Sequence, residues 1–313
     1  MPDADGYVGR DCPNPDCKGY FKVAPGTGLA DALICHCPYC GHTATNDQFF
    51  TQAQIEYAQS VVIQSVVGGF QKRLKRLEFV QKPSHGFGIG MSVQVKTGPL
   101  PPIHYYREKR LETEVVCEGC TLRYSVYGVF AFCPDCGRHN SLQVLNKNLE
   151  LVNKILQVAA DMGAEKAEVA QRLVESALEG CVSSFDGFGR EVCRVHAKQA
   201  TEPSQAERIS FQNPDGARQH MKRLFGYDLA TSLLDEQWSA IVKSLQKRHL
   251  LAHKMGIVDQ EYINRTGDRT VVKGQRINVS ADEVRNTARI LKKIAEGLAN
   301  GLSNPPSVNG EEP

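Results

Sequence analysis

Cysteine spacing before residue 140 limits the fold of this chain more than any other feature of the sequence. Nine of the eleven cysteines lie there, and eight of the nine form closely spaced pairs. The pairs are Cys12 with Cys17, Cys37 with Cys40, Cys117 with Cys120, and Cys133 with Cys136. Because a C-x2-C turn brings two thiolates together and zinc takes four ligands, two such turns supply one site. The pattern predicts two structural zinc sites, both closed to catalysis.

The two sets of pairs differ in regularity. Between Cys120 and Cys133 the residues TLRYSVYGVFAF are aromatic and β-branched, which predicts a hairpin and a zinc ribbon within residues 81–140. The first set lies within residues 1–50, and its first pair has the looser spacing C-x4-C. Whether another nearby residue replaces one of its ligands stays open; the alternatives are Cys35, His36 and His42. Zinc ribbons bind nucleic acid or protein, and the spacing does not distinguish between the two.

Composition is that of an ordinary globular protein. Of the 313 residues, 41% are hydrophobic and 23% are charged. No apolar run approaches the roughly 20 residues that a membrane-spanning helix needs. The first residues, MPDADGYVGRD, lack the basic and apolar regions of a secretory signal, so we expect a cytoplasmic protein without disulfides. The net charge of +2 by itself indicates no nucleic-acid partner.

A connecting helix is predicted over residues 51–80, because apolar residues recur there at steps of three and four. These residues are Ile55, Ala58, Val62, Val66 and Phe70. The helix ends in four cations that can meet the phosphates of a nucleic acid, namely Lys72, Arg73, Lys75 and Arg76. Aromatic faces for stacking bases are expected from Tyr105, Tyr106 and Tyr124. The alternative is a solvated helix end, where the helix dipole favours cations.

Helical periodicity replaces the cysteine pairs in the second half of the chain. It predicts a bundle of four or five helices over residues 141–302, followed by a disordered tail at 303–313. The stretch FDGFGR (185–190) contains two glycines, each costing about 1 kcal/mol in a helix interior, and predicts a kink or break. Ser280 and Glu283 have the spacing of a capping box at the start of the last helix. The residues expected in the core include Cys181, Cys193 and Trp238.

The end of one predicted helix, KRHLLAHKMG, carries an arginine and two histidines. Arg248 and His253 form an R-x4-H pattern, which arises readily by chance, and Arg190 with His196 forms a similar pair. Position distinguishes Arg248, because it continues an apolar stripe on which an unpaired charge is costly. That stripe consists of Leu234, Trp238, Ile241 and Leu245. His249 and His253 lie one turn apart beside it, and the alternative is a basic helix end held by the dipole.

The segment RHLLAHKMGIVDQEYI, with the helices around it, resembles the signature of HEPN domains over residues 141–300. The resemblance implies a homodimer through the motif helix and, in active members, a metal-independent endoribonuclease. Arg248 would neutralise the charge on the phosphorane, and His253 would act as base on the ribose 2′-OH or as acid on the leaving oxygen. His249 would orient the phosphate or share the proton transfer. Assisting residues on an earlier helix are expected among Asp186, Arg190 and Glu191.

The sequence therefore predicts a multidomain protein, with small β-rich zinc ribbons at the N-terminus followed by an all-α HEPN-like bundle of four or five helices. The leading functional hypothesis is an RNA-cleaving homodimer of the toxin or antiviral-defence kind, with two structural Zn²⁺ sites and no catalytic metal. Its ribbons would bind or select RNA. The alternatives are a non-catalytic adaptor that binds nucleic acid or protein through its ribbons, and a pure protein scaffold. A protein partner or regulator is compatible with each, and no membrane partner is expected.

Overall fold

The computed structural model of the chain describes residues 2–30, 32–81, 91–111 and 113–303. The chain divides into two compact units, Met1–Arg138 and His139–Pro313. The glycine-rich HGFGIG segment (85–90), which the sequence predicts as a loop leading into a strand, lies outside the described residues. The same holds for the predicted disordered tail beyond Ser303.

The N-terminal unit contains, in its described part, one long helix and eight short strands in three sheets. Helix α1 spans Gln52–Lys75, and a turn of 3-10 helix at Asn46–Phe49 precedes it. The strands are β1 Val8–Asp11, β2 Tyr20–Val23, β3 Ile34–His36, β4 Thr43–Thr45, β5 Phe79–Gln81, β6 Met91–Val93, β7 Thr113–Val116 and β8 Arg123–Val126. Strands of three or four residues bury little apolar surface, so they need additional support to form a stable unit.

One antiparallel sheet joins the two halves of the cysteine pattern. Its strand order is β1-β2-β8-β7, and the pairing of β2 with β8 sets Val23 opposite Tyr124. The predicted hairpin within TLRYSVYGVFAF is wrong, because those residues supply one strand, β8, whose partner β7 precedes the cysteine pair. The Cys117–Cys120 turn itself reverses the chain between β7 and β8. The first 138 residues are therefore one compact unit rather than two separate ribbons.

Most of β8 is buried, as is the residue before it. Leu122, Tyr124 and Val126 point into the core, where Phe21 and Phe49 join them. Tyr124 is only 1% exposed, so the prediction that its ring offers a stacking face is wrong. Tyr105 is 69% exposed, so its ring remains accessible to a stacking base.

The C-terminal unit is all-α and contains seven helices within residues 139–303, five of them with twelve or more residues. They are α2 Ser141–Ala160, α3 Ala167–Val195, α4 Pro203–Ala206, α5 Pro214–Phe225, α6 Asp235–His253, α7 Gln260–Thr266 and α8 Ala281–Ser303. Turns of 3-10 helix lie at Ala164–Lys166 and Ala197–Gln199. The predicted order, a small β-rich region with two cysteine clusters and then a helical region, is confirmed.

Helix α3 passes through the predicted break without interruption. It packs against α2, α6 and α8, and its buried face includes Phe185 and Phe188 on either side of Gly187. The predicted kink at FDGFGR is wrong, because packing along both flanks outweighs the intrinsic cost of the two glycines. Cys181 and Cys193 on the same helix are fully buried, as predicted, and burial raises the pKa of each thiol to about 12.

The ends of α6 and α8 define the surroundings of the motif. The last turn of α6 is closed by Gly256, whose N–H donates to the carbonyl of Leu250 at 2.9 Å. At the start of α8 the Ser280 hydroxyl accepts from the N–H of Glu283, as the predicted cap requires. The carboxylate of Glu283 instead binds the buried Lys247 of α6 at 2.7 Å. Leu234 is exposed and precedes α6, so the apolar stripe begins at the partly buried Trp238.

Candidate functional site

Arg248 lies near the end of α6 and is partly buried. Its Nη1 donates to Oε1 of Gln212 at 2.9 Å. Its Nε is fully buried and finds no hydrogen-bond partner in the described part of the chain. A buried donor without a partner costs about 1–3 kcal/mol, so this arginine is held at some expense to stability.

Gln212 connects Arg248 to the predicted assisting residues. Its Nε2 donates to Oδ2 of Asp186 at 3.1 Å, and Nε of Arg190 donates to the same oxygen at 3.0 Å. Asp186 is only 7% exposed, whereas Arg190 is partly open to solvent. Two of the three predicted assisting residues thus belong to one hydrogen-bonded network with Arg248. Sequence reasoning missed Gln212, because it lies in a polar connection that carries no motif.

Asp186 also fixes the segment that carries Gln212. Its Oδ1 accepts from the backbone N–H of Phe211 at 2.6 Å and from the hydroxyl of Ser210 at 3.3 Å. The Phe211 ring is fully buried and sits against Gly189, where a Cβ atom would approach it to 2.5 Å. The FDGFGR stretch therefore does not bend α3. Its aspartate, Asp186, binds the segment 210–212 by hydrogen bonds, and its second glycine, Gly189, leaves room for the ring of Phe211.

His249 and His253 form a second group on the exposed side of the same helix end. Their ring centroids are 4.9 Å apart, and both side chains are exposed. Within residues 113–303 no hydrogen bond joins either imidazole to Arg248. Partial burial, together with the neighbouring His253 and Lys254, lowers the pKa of His249 below 6.5. Lys254 is in turn paired with the carboxylate of Asp259. In a single chain, the motif is therefore divided between an inward arginine and an outward histidine pair.

Glu191, the third predicted assisting residue, belongs to a different cluster. Its Oε1 lies 3.1 Å from Nε2 of His139 and 2.6 Å from Nη2 of Arg194. Burial acts to raise its pKa, but hydrogen bonds from Arg194 and His139 outweigh this and lower the pKa to about 2. Five positions after Asp186, it lies about 140° further round the helix, so it is not brought to the Arg248 network. The residues of the similar pair, Arg190 and His196, also bind different partners: Arg190 binds Asp186, and His196 binds Gln199.

The eight predicted metal ligands form two clusters in the N-terminal unit. In each cluster the four sulfurs lie within 4.8 Å of one another; the clusters are Cys12, Cys17, Cys37, Cys40 and Cys117, Cys120, Cys133, Cys136. Sulfur pairs across the first cluster are 3.7 Å apart, and those across the second are 3.6 and 3.4 Å apart. A tetrahedral zinc with sulfurs at about 2.3 Å has edges of about 3.8 Å, so both clusters fit such an ion.

The alternative ligands of the first cluster are used elsewhere. Nδ1 of His36 lies 3.0 Å from the hydroxyl of Thr43. Cys35 is buried, and its sulfur faces the carbonyl of His36 at 3.9 Å. Neither of them, nor His42, belongs to a metal-binding group among the described residues. Each cluster is thus formed by cysteines alone.

The predicted basic run occupies the last turn of α1 and the residue that follows it. All four of its side chains are exposed and form no ion pair in the described part of the chain: Lys72, Arg73, Lys75 and Arg76. The nearest acid in sequence, Glu78, instead accepts from the backbone N–H of Val95. These cations are available to an anionic partner. Their exposure alone does not specify what kind.

No protein family, curated protein or solved structure matches this chain. Among the helices of the described residues, none combines the length and the apolar character needed to cross a membrane. The assignment of function therefore depends on the geometry of the sites themselves.

Proposed function

We propose that this protein is a metal-independent endoribonuclease whose active site is assembled around Arg248, His249 and His253. The observation that carries the proposal is the network Arg248–Gln212–Asp186–Arg190. It joins the partly buried Arg248 to the exposed Arg190. Asp186 orients Arg190 directly and Arg248 through Gln212. Two arginines held in this way suit a phosphodiester, because a planar guanidinium binds phosphate oxygens in a bidentate manner.

The reaction would proceed by attack of the ribose 2′-oxygen on the adjacent phosphorus. The P–O5′ bond breaks, and the products are a 2′,3′-cyclic phosphate and a 5′-hydroxyl. The lowered pKa of His249 favours this imidazole as the base that takes the 2′-OH proton. His253, one turn away, would donate a proton to the departing 5′-oxygen. Arg248 would stabilise the charge on the phosphorane, with Gln212 fixing its orientation.

A second copy of the chain would complete the site. Arg248 and His253 point about 140° apart round α6, so one chain does not readily bring both to one phosphate. A twofold axis beside the exposed end of α6 would set the histidine pair of one subunit beside the arginine of the other. This arrangement accounts for an exposed histidine pair at the end of a helix whose other face is buried.

Zinc in the two cysteine clusters would be structural. Four thiolates close the coordination sphere of each ion and leave no open position for water or substrate. The ions would maintain the fold of the N-terminal unit.

The proposal is tested with a labelled single-stranded RNA in buffer freed of divalent metal by a chelating resin, so that ions already bound remain in place. We expect cleavage with cyclic-phosphate ends. Arg248→Ala and His253→Ala should each lose at least about a hundredfold in rate. Matched controls are His220→Ala and Arg285→Ala, which remove an exposed histidine and an exposed arginine on other helices. Cleavage that survives both motif substitutions, or that needs added Mg²⁺, would refute the assignment.

A non-catalytic adaptor is the second candidate, and the observation that favours it is an exposed apolar surface on α1. An adaptor would bind its partner without cleaving RNA at any protein concentration. Equal behaviour of the wild type and the Arg248→Ala variant in every binding assay would support it.

A further inference from the structure

Helix α1 exposes a continuous row of apolar side chains over most of its length. Val62, Val66 and Phe70 are 60%, 66% and 63% exposed. With Ile55 and Ala58 they lie within about 120° of arc, because each residue advances about 100° round the helix. We call these five residues the α1 apolar face. An exposed apolar row of this extent is typical of an interaction surface.

The opposite side of α1 is already occupied by the same chain. Side chains of the helix bind the backbone of the segment 98–104 there. Gln64 and Gln71 donate to the carbonyls of Pro101 and Gly98, each at 3.0 Å. The hydroxyl of Ser60 accepts from the N–H of His104 at 3.0 Å. The helix is therefore held on one side, and the α1 apolar face is the side that the described residues of its own unit leave uncovered.

Gly69 lies on the same arc as the α1 apolar face. A Cβ atom placed there would meet no atom within 4 Å in the described part of the chain. Packing within this unit therefore does not require a glycine at that position, although the residue costs the helix about 1 kcal/mol relative to alanine. A glycine permits another backbone to approach closely. This points to a partner that lies directly against the helix.

A pocket of about 420 Å³ adjoins the N-terminal end of the α1 apolar face. Phe50, Ile55, Tyr57 and Tyr106 contribute to its mainly apolar wall. Arg10 lies in the same wall, with its guanidinium 5.2 Å from the Phe50 ring centroid. Its hydrogen bond in the described residues is to the carbonyl of its neighbour Gly9. The pocket thus offers room for one large side chain. Beside it, Arg10 forms no ion pair with the described residues, although the Glu108 carboxylate lies close enough to act on its charge.

Cations also lie at the other end of the face. Arg73 is five turns from Ile55 and at the same angle, about 27 Å along the helix. Lys72, Lys75 and Arg76 surround it, and Glu56 is the helix's single acidic residue. A second copy of α1 would bring cations against cations in a parallel pairing, and against Arg10 in an antiparallel one. Since like charges in an interface cost several kcal/mol, self-pairing is disfavoured.

Single-stranded RNA is also a poor match for the middle of the face. Val62 and Val66 offer neither hydrogen-bond donors nor aromatic rings, whereas RNA surfaces combine cations with stacking platforms. An amphipathic helix matches the apolar middle of the face and the cations at both of its ends. Its apolar side would cover the valines, and its acidic residues would reach the cations.

We propose that the α1 apolar face binds an amphipathic helix of a protein partner, acidic at both ends. The partner helix runs along α1 for about five turns. One large apolar side chain enters the pocket beside Phe50, and acidic groups pair with Arg10 and with the cations around Arg73. This docking is independent of the proposed ribonuclease chemistry, since it uses residues of the N-terminal unit alone.

The test uses the full chain and two fluorescent helical peptides of 21 residues with leucines at heptad positions a and d. One peptide carries glutamates at the remaining positions, and the other carries lysines. Fluorescence anisotropy at low salt should show the glutamate peptide binding at least about tenfold more tightly. Val62→Glu with Val66→Glu should weaken it by at least the same factor. Arg73→Glu with Arg76→Glu should reverse the preference between the peptides.

Leu151→Glu is the matched control, because it places the same charge at an exposed leucine of the C-terminal unit. It should leave binding unchanged, and circular dichroism and metal content should be equal in all variants. Equal binding of the two peptides, no binding of either, or binding unaffected by the valine substitutions would each overturn the proposal. So would self-association abolished by the valine substitutions, or displacement of the glutamate peptide by an equimolar single-stranded RNA.

Discussion

The two units of this protein reach a stable fold by different means. In the N-terminal unit, six of the thirteen residues of the buried apolar cluster are cysteines, and the strands have three or four residues. In the C-terminal unit, long helices bury leucine, isoleucine, valine and phenylalanine against one another. One unit has a core completed by metal ligands, and the other has a core of hydrocarbon. We therefore expect that each unit can be perturbed without unfolding the other.

The largest expected effect comes from removing the metal ions. A strong chelator should unfold the N-terminal unit and leave the helices of the C-terminal unit intact. Structural zinc contributes about 10–16 kcal/mol to the folding of small domains, which exceeds what such short strands supply. Hydrogen exchange resolved by peptide would measure this. If the amides of β1, β2, β7 and β8 stayed protected from exchange after complete metal loss, the N-terminal unit would not depend on metal for its fold.

Next in size is the loss of an ion pair inside the C-terminal unit. Lys247 is only 7% exposed, and its ammonium group binds Glu283 at 2.7 Å and the carbonyl of Asn278 at 2.8 Å. Glu283→Ala leaves this buried charge without its partner and should lower the free energy of unfolding by about 3 kcal/mol. Urea denaturation measures the change. Glu296→Ala, which removes a partner from an exposed pair with Lys292, should cost less than about 0.5 kcal/mol.

A pair of glycines on α3 gives a smaller effect with opposite signs. Gly189→Ala places a methyl group against the ring of Phe211 and should destabilise the C-terminal unit by about 2 kcal/mol. Gly187→Ala meets nothing within 4 Å in the described residues and should stabilise the helix by about 0.5–1 kcal/mol. Thermal unfolding of both variants measures the difference. Equal effects would show that Phe211 does not rest on Gly189.

The smallest effect that we expect is a change in how the free energy of unfolding depends on pH. Because the folded pKa of Glu191 is about 2, below its ordinary value of 4.5, its contribution is present above pH 4.5 and lost as the pH falls towards 2. Glu191→Gln should remove roughly 1–2 kcal/mol of stability at pH 6 and reduce the acid dependence between pH 4.5 and 2. Urea titrations at several pH values measure it. An unchanged slope would mean that Glu191 is not paired in solution.

The features that the sequence predicts correctly are those determined over a few residues. Paired cysteines bring their sulfurs together through one tight turn, so spacing suffices to recognise both clusters. Helical periodicity likewise identifies the long helices, and Ser280 marks the start of the last one. The position of Arg248 on the stripe of α6 predicts that its side chain needs a polar partner or a cleft, and the amide oxygen of Gln212 is such a partner.

Features that depend on contacts between distant parts of the chain are not predicted by local sequence patterns. Gln212 joins Arg248 to Asp186 only because the segment 210–212 folds back against α3, and no local pattern indicates that. The glycines of FDGFGR suggested a break, whereas one of them makes room for Phe211. The inward direction of Tyr124 follows from the pairing of β8 with strands far away in the chain. Periodicity identified the α1 apolar face as one side of a helix, but not that this side is exposed.

The pairing of β2 with β8 has a consequence for how the chain is made. These strands are about 100 residues apart, so at about 5–20 residues per second the ribosome adds the second roughly 5–20 s after the first. During that interval the edge of β2 that later pairs with β8 has no neighbour. The cluster of Cys12, Cys17, Cys37 and Cys40 would then have to bind its ion without the completed sheet. Metal binding at the first cluster would then precede the synthesis of β8. A bound ion would then hold β2 in place until β8 is synthesised.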